Sequence, residues 1–76
     1  EKIESTLVYL WQNLNHKKIT LKAHPFIAAY ITQGWPSIRM RWLFEHKRWL
    51  KVQSAPNYHI GEYVIEDHNG REISKL

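Results

Sequence analysis

Residues 18–32 read KITLKAHPFIAAYIT, and the fold class turns on this stretch. From Lys18 to Ala23 polar and apolar residues alternate, with Lys18, Thr20 and Lys22 on one side and Ile19, Leu21 and Ala23 on the other. Successive side chains of a strand point to opposite faces, so this is the pattern of a half-buried strand. His24-Pro25 breaks the alternation. Proline is tolerated in the first turn of a helix, where its missing N–H would have no partner anyway. Phe26, Ile27, Tyr30 and Ile31 then form (i, i+4) pairs, which predicts a short helix over 25–32. Gly34 follows, where a left-handed residue commonly ends a helix.

The same reasoning extends both ways. Upstream, Ile3, Leu7, Leu10, Trp11 and Leu14 share one face at helical spacing, and Val8 widens it. This predicts a helix over 2–14, ended by the polar residues Asn13, Asn15 and His16. Downstream, Trp35-Pro36 opens another helix, with Ile38, Trp42 and Leu43 on its apolar side. Arg39, Arg41, Lys47 and Arg48 occupy its other faces or its end, where positive charge suits the helix dipole. Residues 49–53 read as a strand, and 54–59, with Pro56 and Asn57, as a loop. Residues 61–66 are a strand with Tyr63 and Ile65 on one face. Asp67-His68-Asn69-Gly70 is a turn, and 71–74 pairs back as the last strand. The expected architecture is α+β: a small antiparallel sheet with the helices packed on one face, in the order α-β-α-α-β-β-β.

Composition bounds the rest. A chain of 76 residues makes one domain, spanning 1–76. It has no cysteine, so neither disulfides nor thiolate metal sites staple it, and the apolar core must carry the fold. Lys and Arg number 11 against 7 Asp and Glu, a net charge of +4 that favours an anionic partner such as RNA. No apolar run approaches the roughly 18 residues of a membrane span, so no membrane partner is expected, and the absence of cysteine fits a cytoplasmic protein. The amphipathic pattern is already running at Ile3 with no initiator Met, so the chain is expected to be cut from a longer protein.

Catalytic signatures are missing. The three glycines, at 34, 61 and 70, are scattered and build no phosphate-cradling loop. The five histidines (16, 24, 46, 59 and 68) lack any metal-ligand spacing, so no metal site is expected. Glu62, Glu66, Asp67 and Glu72 cluster in the last hairpin as solvated charges. His24, beside Pro25, has no partner acid or nucleophile and reads as a junction residue that organises the first turn of the helix. No catalytic residue is assigned, and a small enzyme would need a convergent pocket that these residues do not build.

The strongest local signal is the basic and aromatic run from Trp35 to Lys51. Arg39, Arg41, Lys47, Arg48 and Lys51 can track phosphates, and the interleaved aromatics Trp35, Trp42, Phe44 and Trp49 can stack on bases where they are exposed, Trp35, in a turn between Gly34 and Pro36, being the one singled out. The competing reading makes the tryptophans core and the charges a solvated face. A third makes exposed Trp35, Phe44 or Trp49 a subunit patch.

The segments AHPFIAAYITQGWPSIR and EYVIEDHNGREI resemble the C-terminal end of bacterial ribonuclease E/G family proteins, particularly the ribonuclease G-like branch. The resemblance covers about residues 5–73 and rests on His-Pro, Ala-Ala-Tyr and Gly-x-x-Ser-Ile-Arg in order. It implies that the parent is a magnesium-dependent endoribonuclease, a hydrolase that cleaves single-stranded RNA in RNA processing and decay. It also implies that the catalytic carboxylates and the structural zinc ligands lie upstream, so this fragment holds no cofactor. The C-terminal small domain would support subunit assembly, RNA contact, or both. The alternative is a free-standing protein-interaction module unrelated to nucleases.

Overall fold

The computed structural model describes residues 2–13 and 18–75. Its elements are α1 (Lys2–Gln12), β1 (Thr20–Ala23), α2 (Pro25–Thr32), α3 (Ile38–His46), β2 (Lys51–Ser54), β3 (Tyr63–Glu66) and β4 (Glu72–Lys75). The chain is an α+β domain with the expected order of elements. Leu14, Asn15 and His16, read above as the end of the first helix, lie outside the described residues.

The four strands form one sheet in the order β2-β1-β3-β4. β1 pairs antiparallel with β3, placing Leu21 opposite Ile65 and Ala23 opposite Tyr63. β3 pairs antiparallel with β4. β1 and β2 run parallel, with Thr20 beside Lys51 and Ala23 beside Ser54. The sheet is therefore mixed and not wholly antiparallel as the sequence suggested. The cause is the connection: α2 and α3 lie between β1 and β2 and return the chain to the end of the sheet where β1 began. A parallel pair needs a crossover of this kind.

The β1 alternation is realised as read. Ile19, Leu21 and Ala23 are buried, and Thr20 and Lys22 look outward. Tyr63 and Ile65 of β3 share the inner face, and half-buried Val52 of β2 packs on it. Leu7, Leu10 and Trp11 of α1, Ile31 of α2, Trp42 of α3 and Leu50 complete the core against that face. Removing a leucine or isoleucine side chain fully from water contributes about 1.5–3 kcal/mol. Leu7, Leu21, Ile31, Leu50 and Ile65 are all buried to that degree. At the outer edge the register slips between Ile65 and Glu66. The slip leaves Ile73 as an extra residue between Ser74 and Glu72, and it turns onto the core.

The helix ends follow their residues. His24 caps α2 by accepting the Phe26 N–H on Nδ1 at 3.0 Å, with Pro25 in the first turn. Ser37, itself buried, caps α3 by accepting the Met40 N–H at 3.1 Å. Gly34, at φ +90°, supplies the left-handed turn after α2. α3 ends differently: Lys47 adopts φ 59° and donates its N–H to the Leu43 carbonyl. A side-chain-bearing residue there costs about 1–2 kcal/mol relative to right-handed backbone. No helix is long and apolar enough to cross a membrane among the described residues.

Candidate nucleic-acid interface

Thr20, Lys22, Lys51, Gln53, Val64 and Glu66 form the outer face of the sheet, opposite the face on which, among the described residues, the helices pack. At the end where β1 and β2 both begin, this face deepens into an open cleft of about 620 Å³. Thr20, Lys51, Gln53 and Glu66 form its floor, the segment Lys47 to Trp49 one wall and the turn Asp67 to Gly70 the other, with Lys18 at the rim.

The charges in the cleft are unequally engaged. Glu66 accepts an ion pair from Lys22 at 3.0 Å, across the diagonal of the β1–β3 pair. Asp67 Oδ1 accepts the backbone N–H groups of Asn69 and Arg71, each at 2.9 Å. The Arg71 N–H contributes most to holding the Asp67 carboxyl below the ordinary aspartate value of 3.8. Partial loss of hydration opposes it, and the Asn69 N–H and the charges of His68 and Arg71 add to it. Both acids are thus committed to the fold. Among the described residues, no carboxylate pairs with Lys18, Lys47, Arg48 or Lys51.

The six residues that the sequence nominated for RNA separate into three groups. Lys47, Arg48 and Lys51 line the cleft together. Arg39 lies beside it and is spent internally. Its guanidinium sits 4.1 Å from the centre of the Trp49 ring and donates from Nη1 to the Leu50 carbonyl at 3.3 Å. Arg41 and Trp35 do not line the cleft; Arg41 is exposed on α3 and Trp35 is 86% exposed in the turn before it. Trp11 and Trp42 are core, so the four tryptophans divide into two structural and two exposed.

Trp49 and Lys18 line the cleft but are not among the six residues nominated, although Trp49 is named with the aromatics of the basic run. Trp49 is 49% exposed and lines the wall. Its signal, a tryptophan flanked by Arg48 and Lys51, was present but fitted a subunit patch equally well. Lys18 is distant in sequence from the basic run, and only the parallel pairing of β1 with β2 brings it there.

Two other features lie apart. Phe26, Ile27, Ala29, Tyr30, Gln33 and Ile60 line an apolar groove of about 500 Å³ on the outside of α2. Of the proposed subunit patch of Trp35, Phe44 and Trp49, all three are exposed, but none lines this groove. Glu4, Glu45 and His46 bring their ligand atoms within 4.8 Å of one another. His46 Nε2 is 3.3 Å from the Glu4 carboxylate and 3.9 Å from that of Glu45, and its ring packs against Trp11 at 5.6 Å. This cluster joins the first turn of α1 to the last of α3. Comparison of the chain with protein families, with curated proteins and with solved structures found no match.

Proposed function

We propose that this chain is a non-catalytic RNA-contact domain whose basic cleft takes single-stranded RNA, and that it closes a cytoplasmic endoribonuclease acting in RNA processing and decay. The observation that supports the RNA reading is the imbalance inside the cleft. Glu66 and Asp67 are engaged by the fold, while Lys18, Lys47, Arg48 and Lys51 hold four positive charges without carboxylate partners among the described residues. Neutralising phosphates with such groups releases condensed counterions and drives binding. The nuclease part of the reading rests on the resemblance of residues 5–73 to ribonuclease E/G proteins. On that reading the magnesium and structural zinc of the parent are held upstream. Without cysteine, this chain offers no thiolate ligand for zinc.

The test is the anisotropy of a labelled oligouridylate titrated with the domain at several salt concentrations. Affinity is expected to fall linearly on logarithmic axes, and Lys47→Gln with Lys51→Gln to flatten the slope by about 1.4, at roughly 0.7 per phosphate lost. An absence of binding at low salt removes the reading, as does binding that salt leaves unchanged.

A second role, contact with another subunit of the same protein, is favoured by the apolar groove, where Phe26, Tyr30 and Ile60 are 72%, 63% and 56% exposed. Patches of this kind commonly mark interaction sites. Sedimentation at rising protein concentration tests it. Association that Phe26→Ser with Ile60→Ser abolishes supports the role, and a wild-type chain that stays monomeric throughout counts against it.

A further inference from the structure

We infer that Trp49 is a stacking platform for one unpaired nucleobase, and that Arg39 positions it and makes no phosphate contact. The inference rests on the reading of the cleft as an RNA site and adds which part of the RNA the site takes.

The geometry is that of a ring held from behind. Arg39 stands in the first turn of α3, and the segment that follows α3 folds back past it. The guanidinium covers one face of the Trp49 indole at 4.1 Å, and its Nη1 donates to the carbonyl of the next residue, Leu50. Leu50 is fully buried, so the ring is fixed at two points, by a core anchor at its own backbone and by a cation on its face. Half of Trp49 is still exposed, and the ring lines the cleft. With one face covered by Arg39, the face left for a base is the opposite one. An indole held this way loses little freedom when a base settles on it, and the cation behind the ring adds to the stack.

The surroundings match a nucleotide. Lys47 and Arg48 precede Trp49, Lys51 follows it, and all three line the same cleft. A base on the ring therefore has cations in the same cleft for its flanking phosphates. Bases in a duplex are already stacked on one another, so the platform selects unpaired strands. Arg39 is half-buried and already in contact with the ring and with Leu50, which sets it apart from the cations that line the cleft.

The experiment uses a Trp35→Phe background, in which Trp49 is the exposed indole and Trp11 and Trp42 stay in the core. Oligouridylate and inorganic polyphosphate of matched charge are titrated while tryptophan fluorescence and affinity are read. Oligouridylate is expected to quench Trp49 and to bind more tightly than polyphosphate. Trp49→Leu is expected to weaken oligouridylate roughly 5- to 150-fold, with Trp49→Phe recovering part of the loss. Arg39→Met and Arg39→Lys are both expected to weaken binding and reduce quenching without changing the salt slope, whereas Lys51→Gln flattens it.

Equal affinity for the two polyanions, with no quenching, overturns the platform and leaves the basic cleft standing. A flattened salt slope in Arg39→Met makes Arg39 a phosphate contact and overturns its positioning role. Failure to bind either polyanion overturns the RNA reading itself.

Discussion

Glu4 and His46, at opposite ends of the helical layer's sequence, meet side chain to side chain at 3.3 Å, partly shielded from solvent. The contact ties α1 to α3, and His46 also rests on Trp11. His46→Ala removes both interactions and is expected to destabilise the domain by about 1.5 kcal/mol. Glu4→Ala removes only the polar one and should cost about 0.5 kcal/mol. Urea unfolding of the two variants and the double variant measures this. If the pair is coupled, the double variant is no less stable than His46→Ala.

Lys47 ends α3 in a conformation that suits glycine. Lys47→Gly is expected to raise stability by up to about 1 kcal/mol by relieving the left-handed backbone. It also removes a cleft cation, so it should weaken RNA binding and flatten the salt slope by about 0.7. Thermal unfolding and anisotropy on the same preparation separate the two effects. A variant that is both less stable and unchanged in binding contradicts the roles given to this residue.

Asp67 organises the β3–β4 turn through two backbone N–H groups. Its folded value lies below the ordinary 3.8, so the carboxylate is the form that the fold prefers. Its contribution to stability is then fully present above 3.8 and is lost as the pH falls below that value towards the folded one. Asp67→Asn keeps an acceptor and loses the charge. The stability gap between wild type and this variant should therefore close as the pH drops through this range. A gap that is constant with pH would separate the turn from the ionisation.

How much of this was readable in the sequence differs from element to element. α2 was legible to the residue because Pro25 marks its start and the (i, i+4) apolar pairs its extent. Strict alternation marked the inner face of β1, and Ile19, Leu21 and Ala23 are buried accordingly. Strand direction was not legible, since it depends on how α2 and α3 carry the chain over the sheet and leaves no trace in the alternation of β1 or β2. In the site, Lys47, Arg48 and Lys51 are neighbours in sequence and stayed neighbours in space. Arg39 was read as one more cation of the run because charge is visible in sequence, whereas the ring and carbonyl that occupy it are not. The Glu4–His46 contact joins residues from two helices that no local spacing relates.

Parallel pairing of β1 and β2 has an electrical consequence. Because Thr20 and Lys51 start their strands side by side, the segments leading into both strands deliver their cations to one end of the sheet. An antiparallel pairing would have sent them to opposite ends. Lys18, Lys47, Arg48 and Lys51 thereby form a cluster of positive charge at that end. At physiological salt its field reaches roughly 8 Å, a sizeable part of an envelope measuring 30 × 29 × 21 Å. On the RNA reading proposed above, a polyanion approaching by diffusion would be steered toward the end where the cleft opens.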